Sequence, residues 1–148
     1  MPGRAPDILR AAGVSFEVAD LPTLGVLLRV AANDLTGGLG ALASQGFDQL
    51  VDLFGTDTGE QIEITYHVRV LDRMDDAYLR CAVPYDGALP SVWQIYPAAL
   101  YPEREAAELL GFSLTGHPNP KRLLTTEGTE PLLRKSVLVR GAEEVRYS

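Results

Sequence analysis

The stretch from Ile62 to Val70 alternates strictly between apolar and polar residues, and no other feature of the sequence restricts the fold as much. Alternation with a period of two places the apolar side chains on one face of a β-strand and the polar ones on the other. Residues 72–76 read as a polar turn, and residues 78–83 as a second strand that returns beside the first. Residues 61–84 are therefore predicted to form an antiparallel hairpin.

Shorter segments around the hairpin predict a mixture of strands and helices. The predicted strands lie at residues 14–18, 24–31 and 49–54, and a turn follows at residues 55–59. The predicted helices lie at residues 6–12, 33–43 and 102–110. Asn33 or Asp34 would cap the second helix, and Gly111 would end the third. This order indicates an α+β fold, a two-layer mixed β-sheet packed against helices.

The C-terminal part of the chain has no strong apolar periodicity after Gly116. Residues 1–115 are therefore predicted to be an α+β core domain, and residues 116–148 an extended C-terminal arm. Residues 1–111 carry seven Lys/Arg and sixteen Asp/Glu, a net charge of −9, whereas residues 112–148 have a net charge of +2. An arm with little core of its own indicates a subunit that lies along a partner.

Composition excludes several classes of function. The net charge of −7 argues against nucleic acid as a partner. A single cysteine, Cys81, rules out an internal disulfide framework and a cysteine-built zinc or iron–sulfur site within the chain. The apolar stretches are shorter than the ~20 residues of a membrane span, and no secretory signal is recognisable at the N-terminus. The chain is therefore expected to be soluble, or peripheral to something else.

Few residues suggest chemistry of their own. The glycines of residues 37–40 lack the spacing of either phosphate-binding motif. His67 and His117 lie far apart in the sequence and lack metal-ligand spacing, so no metal site is predicted. His67 is expected to be solvent-facing or hydrogen-bonded, and Cys81 to pack in the core.

The densest charged cluster lies at residues 103–108, at the start of a predicted helix. Glu105 and Glu108 share a helix face, and with His117 they could act as acid and base in a small stand-alone enzyme. A solvated helix start is the commoner outcome. A third alternative is pairing with basic residues of the arm, in this chain or a neighbour. Those basic residues are Lys121, Arg122, Arg134 and Lys135.

A longer pattern extends over residues 91–135. It consists of Ser91-Val92-Trp93-Gln94-Ile95-Tyr96-Pro97-Ala98-Ala99, Glu103-Arg104-Glu105, Gly111-Phe112, Gly116-His117-Pro118, Lys121-Arg122-Leu123-Leu124 and Leu133-Arg134-Lys135. This pattern resembles the C subunit of bacterial NADH-quinone oxidoreductase, which belongs to the peripheral arm of respiratory complex I. Glu-Arg-Glu followed by Gly-His-Pro at this spacing is the distinctive part.

The resemblance implies a non-catalytic structural subunit of a proton-pumping NADH:quinone oxidoreductase. Such a subunit braces the iron–sulfur and quinone-site subunits, on the cytoplasmic face of the plasma membrane. It binds no cofactor itself, while NADH, FMN, iron–sulfur clusters and quinone are expected in the whole complex. The fold that it implies is an α+β domain whose tail extends over neighbouring subunits.

The resemblance also marks residues that are expected to bind partners. They are Glu103, Arg104, Glu105, Glu108, Gly116, His117, Pro118, Lys121, Arg122, Arg134 and Lys135. An alternative within the same ancestry is a homologous subunit of a membrane-bound nickel–iron hydrogenase or formate hydrogenlyase complex. The stand-alone acid–base enzyme remains the alternative from another class.

Overall fold

The structure is a computed structural model that describes residues 4–21, 25–71 and 75–118. Within these residues the strands are β1 (Glu17–Leu21), β2 (Gly25–Arg29), β3 (Gln49–Asp57), β4 (Ile62–Val70), β5 (Asp75–Val83), β6 (Ala88–Pro90) and β7 (Ser113–Thr115). The α-helices are α1 (Ala5–Ala11), α2 (Leu35–Ser44) and α3 (Leu100–Leu110). The predicted α+β fold is confirmed.

Five of the strands form a mixed sheet in the order β1-β2-β5-β4-β3. The neighbouring strands are antiparallel except for β2 and β5, which run parallel. β4 and β5 form the predicted hairpin, in which Tyr66 lies opposite Leu79 and His67 opposite Tyr78. The apolar residues of β4 are buried, as their alternation predicts.

The helices pack against one face of this sheet. α2 lies close to β5, because Gly38 has no side chain and a Cβ there would stand 3.4 Å from Leu79 Cδ2. α3 lies against β3 in the same way, since the side chain of Leu110 occupies the space where Gly55 lacks a Cβ. Glycine at these two positions therefore sets how closely the helical layer approaches the sheet.

Several predicted boundaries were wrong. The first strand begins at Glu17 rather than Val14, and the predicted turn at residues 55–59 starts too early because β3 continues to Asp57. The turn that follows is held by Asp57, whose Oδ1 accepts a hydrogen bond from the Gly59 N–H at 2.8 Å. The expected cap is also absent among the described contacts, since the Asp34 side chain makes no capping hydrogen bond to α2.

Two tyrosines buried in the core differ in their hydrogen bonding. The Tyr96 hydroxyl donates to the Phe47 carbonyl oxygen at 2.5 Å, and burial raises the pKa of Tyr96. The Tyr66 hydroxyl has no hydrogen-bond partner in the part of the chain that the structure describes. A buried polar group without a partner lowers stability, whereas a satisfied one contributes modestly to it.

We expect Tyr96→Phe to lower the free energy of unfolding by about 1.5 kcal/mol, because it leaves the Phe47 carbonyl unpaired. We expect Tyr66→Phe to leave that free energy unchanged or to raise it by up to about 1 kcal/mol, because it removes an unpaired hydroxyl. Urea unfolding of both variants measures the difference. If both variants lost the same free energy of unfolding, the described difference in hydrogen bonding between Tyr96 and Tyr66 would be contradicted.

A second, smaller sheet pairs β6 with β7 in parallel and brings residues 88–90 beside residues 113–115. β7 ends at Thr115, the predicted end of the core domain, and the described chain continues to Pro118. Most of the predicted arm, residues 119–148, lies outside the described residues. Among the described residues, no helix is long and apolar enough to cross a membrane.

Candidate functional site

The helix α3 carries most of the predicted site residues. A 3₁₀ turn, Pro97–Ala99, leads into it, and it ends at Gly111, which adopts the left-handed conformation with φ 81°. The prediction that Gly111 ends this helix is thus confirmed. Glu103 was expected to be a solvated residue in the first turn, but it is buried.

The carboxylate of Glu103 binds the segment that precedes the 3₁₀ turn. Its Oε1 accepts a hydrogen bond from the Ser91 hydroxyl at 2.5 Å, and its Oε2 accepts one from the Val92 N–H at 2.8 Å. Burial raises the pKa of Glu103, and the hydrogen bonds from Ser91 and Val92 partly oppose that rise. Glu103 therefore fixes an irregular segment against α3.

His117 also lies close to this carboxylate. Its Nε2 lies 3.0 Å from the Leu100 carbonyl oxygen and 4.0 Å from Glu103 Oε1. The side chains of Glu103 and His117 are each only 1% exposed. Next to them, the Trp93 indole N–H donates to the Gly116 carbonyl oxygen at 3.0 Å. We call Ser91, Val92, Trp93, Glu103, Gly116 and His117 the α3 junction.

The other predicted site residues are distributed around α3. Glu108 is buried, Arg104 and Glu105 are half-buried, and Pro118 is exposed. The structure therefore brings Glu103, Gly116 and His117 close to one another within the same chain. Whether any residue of the predicted set binds a partner stays a prediction. Lys121, Arg122, Arg134 and Lys135 lie outside the described residues.

Sequence analysis missed the roles of Ser91 and Trp93. Both belong to the longer pattern, but no periodicity links an irregular segment to a helix that starts several residues later. The hydrogen bond between Ser91 and Glu103 spans twelve residues and depends on the turn between them. Only the joint occurrence of the two motifs in one pattern carried a signal for this contact.

The face of the sheet opposite the helices carries a second polar cluster. Asp76 accepts two hydrogen bonds from the Arg69 guanidinium, at 2.6 and 3.1 Å, and lies 3.3 Å from His67 Nε2. The hydrogen bonds from Arg69 lower the pKa of Asp76. His67 stacks on Tyr78 with ring centroids 4.2 Å apart. Arg69 lies opposite Asp76 in the hairpin, because β5 begins at Asp75. The sequence analysis missed this ion pair because it placed Asp76 in the turn.

Two clefts open on the described surface. One, of about 510 Å³, lies between α1 and α2, and the other, of about 380 Å³, lies near the ends of β1 and β2. The first is lined by Arg4, Asp7, Ile8, Ala11, Ala12, Ala41, Ser44 and Gln45. The second is lined by Ser15, Phe16, Glu17, Arg29, Val30, Ala31, Asp34, Arg80 and Ala82. Neither cleft includes a predicted site residue.

Cys81 is buried, as predicted, and burial raises the pKa of its thiol to about 12. Because the thiolate is the reactive form, we expect Cys81 in the folded protein to react with Ellman's reagent more than about a thousandfold more slowly than in urea. Cys81 is the single cysteine of the chain, so the signal has one source. Fast labelling of the folded protein would contradict this burial.

Among the described residues, no group of three His, Cys, Asp or Glu side chains could hold a metal ion.

A family model described as "Respiratory-chain NADH dehydrogenase, 30 Kd subunit" matches residues 28–143. The chain belongs to this family. Among its relatives, the C subunit of NADH-quinone oxidoreductase from Caulobacter vibrioides is 33% identical over 145 residues, covering 95% of this chain and 74% of the relative. The same subunit of Caulobacter sp. strain K31 is 38% identical over 105 residues, 68% of this chain. The chain spans about half the length of that relative, 49%.

Solved structures share the fold of this member of the 30 Kd subunit family. A trypsin-resistant fragment of Nqo5 matches with a TM-score of 0.69 at 23% identity, covering 78% of this chain and 96% of the fragment. A chain of the membrane-bound sulfane sulfur reductase, an archaeal respiratory membrane complex, matches with a TM-score of 0.66 at 24% identity. That match covers 76% of this chain and 68% of the other. These matches support the fold that the resemblance implied, and the family model and the relatives confirm the resemblance itself.

Proposed function

We propose that this chain is a non-catalytic structural subunit of the peripheral arm of a proton-pumping NADH:quinone oxidoreductase, complex I. The observation that carries the proposal is the match of residues 28–143 to the family of the 30 Kd subunit. Relatives named as the C subunit of this enzyme cover up to nearly the whole chain. The protein would brace the iron–sulfur and quinone-site subunits.

The α3 junction supports a structural rather than a catalytic role. An acid or base must reach its substrate, but two residues of the predicted acid–base set, Glu108 and His117, are buried. The carboxylate of Glu103 is occupied by Ser91 and Val92. These groups are arranged to hold segments of the chain together, which is the property that a bracing subunit requires.

The proposal assigns the redox chemistry to other subunits. NADH, FMN, iron–sulfur clusters and quinone would be bound elsewhere in the complex, and electrons would not pass through groups of this chain. The chain would lie on the cytoplasmic face of the plasma membrane and contact the lipid only through its partners. The partner-binding residues would be Arg104 and Glu105 on the half-buried part of α3, together with the cations of the arm.

The proposal is tested by affinity purification of the tagged full chain from the membranes of its own organism. Mass spectrometry should find the NADH-oxidising, iron–sulfur and quinone-site subunits in stoichiometric amounts, and the purified material should reduce quinone with NADH. The untagged strain serves as the control for non-specific recovery. Purification of the chain without these subunits would overturn the proposal.

A homologous subunit of another membrane-bound respiratory complex is the second candidate. The fold similarity to a chain of the membrane-bound sulfane sulfur reductase supports it, since that respiratory complex is named for another reaction. A nickel–iron hydrogenase or formate hydrogenlyase would be the corresponding assembly. Recovery of a nickel–iron large subunit in the same purification would select this candidate.

A further inference from the structure

The strand β3 is an edge of the five-stranded sheet, and in the described part of the chain no strand pairs with its outer side. The turn after β3 shows which backbone groups face outward. The Thr58 N–H donates to the Gln61 carbonyl oxygen at 3.0 Å, so these two residues form a hydrogen-bonded pair. Bonded and non-bonded pairs alternate along an antiparallel ladder. Leu53 and Gly55 therefore lie at positions whose N–H and C=O groups point away from β4, and the Leu53 N–H bonds locally to Asp52 Oδ1 at 2.8 Å.

This edge lacks most of the features that protect exposed strands in natural proteins. Such strands are usually short or carry lysine or proline, because their unpaired backbone groups otherwise bind further strands. β3 has nine residues, and residues 45–61 contain no lysine, arginine or proline. The apolar side chains of Val51 and Phe54 are 39% and 40% exposed. A bulge near the start of β3 leaves residues 52–57 in regular pairing, so this part of the edge is suited to accept another strand.

The charge around the β3 edge indicates which kind of strand would fit it. Residues 45–61 contain four Asp/Glu and no Lys/Arg, a net charge of −4. Three of these acidic residues, Asp48, Asp52 and Glu60, are exposed. Pairing of two such edges would bring like charges together, which disfavours a second copy of the chain as the partner. A basic strand would be attracted to the same edge.

We propose that a neighbouring subunit adds an extended basic segment to the sheet along the outer side of β3. In β-strand addition, backbone hydrogen bonds supply the affinity and alternate side chains supply the specificity. The Gly55 N–H and the carbonyl groups of Leu53 and Gly55 bond the added strand, and the exposed ring of Phe54 packs against one of its side chains. This inference rests on the proposed function and names the surface through which the chain binds a neighbour.

The first test is amide hydrogen exchange, measured residue by residue in the isolated full chain and in the complex purified from native membranes. We expect the Gly55 amide to exchange at least about a hundredfold more slowly in the complex, because an inter-strand hydrogen bond then protects it. The Phe54 amide faces β4 and should change much less. The amides of β1, the opposite edge of the sheet, should also change little. Protection of Gly55 without equal protection of Phe54 is the pattern that strand addition predicts.

Other results of the exchange measurement would overturn the inference. Fast exchange of Gly55 in both states would show an open edge in the complex, and would leave the proposed function intact. Slow exchange in the isolated chain at every concentration would mean that the chain covers the edge itself. Slow exchange that appears only at high concentration would mean that a second copy covers it. If the chain is recovered in no complex, the proposed function fails, and the inference with it.

Substitutions of Phe54 test the charge of the added strand. A tagged variant competes with the untagged chain in native membranes, and the measured quantity is the fraction of each in the assembled complex. Phe54→Lys places a cation on the edge and should be recovered about tenfold less than the wild type. Phe54→Glu removes the same ring but keeps the attraction, so its recovery should fall by less than about threefold. Val18→Lys is the matched control, because Val18 is an apolar residue of the opposite edge strand and is 54% exposed, and its recovery should not change.

Equal recovery of Phe54→Lys and Phe54→Glu would overturn the basic character of the added strand, and the inference with it. Urea unfolding of each isolated variant shows whether it is folded at the assay temperature. If Phe54→Lys is unfolded there, the exchange of the Gly55 amide in the wild type decides the question, since that measurement needs no substitution.

Discussion

Gly55→Val should lower the free energy of unfolding by about 3 kcal/mol or more and should separate α3 from the sheet. A Cβ at Gly55 would overlap Leu110 Cδ1 and would stand 3.0 Å from Ile64 Cδ1. Both of these side chains are buried, so neither can move into solvent. Overpacking at a tight helix–sheet contact is resolved only by shifting the helix, and α3 carries the junction. Urea unfolding of the full chain measures the loss.

Gly37→Ala is the matched control for this prediction. Gly37 is exposed in the first turn of α2, and a Cβ there would meet no atom within 4 Å. Alanine in a helix restricts the unfolded chain more than glycine does, so Gly37→Ala should raise the free energy of unfolding by about 0.5–1 kcal/mol. If Gly55→Val proved as stable as the wild type, α3 would not be packed on β3 as described.

Glu103→Leu should lower the free energy of unfolding by about 3 kcal/mol. The variant leaves the buried Val92 N–H and the part-buried Ser91 hydroxyl without their acceptor, and each such loss is worth about 1–3 kcal/mol. Glu105→Leu is the control on the same helix, because Glu105 is half-buried and accepts no hydrogen bond from Ser91 or Val92. Its effect should stay within about 0.5 kcal/mol. Equal losses of unfolding free energy in the two variants would contradict the hydrogen bonds that Glu103 makes in the α3 junction.

Glu103 should also shape the dependence of stability on pH. Burial raises its pKa in the folded chain above the ordinary value of 4.5, so the folded state holds the proton more tightly than the unfolded state. The contribution of Glu103 to stability is therefore greatest below that ordinary value and declines as pH rises through the raised pKa. Glu103→Gln does not titrate, so the wild type should lose stability relative to it over this window. If the wild type instead gained stability relative to Glu103→Gln as pH rises, the raised pKa of Glu103 would be contradicted.

How much of this structure the sequence predicts depends on the range of the interactions. The hairpin of β4 and β5 was predicted because a period of two is a local property of ten residues. The end of α3 at Gly111 was predicted because glycine is the residue that most readily ends a helix. The start of β1 and the end of β3 were not, since neighbouring strands set them through hydrogen bonds that no local pattern encodes.

In the candidate site, too, local features could be predicted from the sequence and contacts between distant segments could not. The residues Glu103 and His117 were singled out from the sequence by their motifs, but their burial was not foreseen. A glutamate in the first turn of a helix is usually solvated, but the Glu103 carboxylate is buried and accepts hydrogen bonds from Ser91 and Val92. A contact between irregular segments follows from the completed fold, so reasoning from single elements could not supply it.

The parallel pairing of β2 with β5 has a consequence for how the chain is made. Val26 lies beside Ala77 in the sheet, so β2 finds its inner neighbour only after some fifty further residues have been synthesised. At about 5–20 residues per second, several seconds pass on the ribosome while the N-terminal strands have an unpaired edge. The hairpin of β4 and β5 needs only local contacts and can form as it emerges. In this chain the sheet is therefore completed only when β2, which is synthesised early, pairs with β5, which is synthesised late.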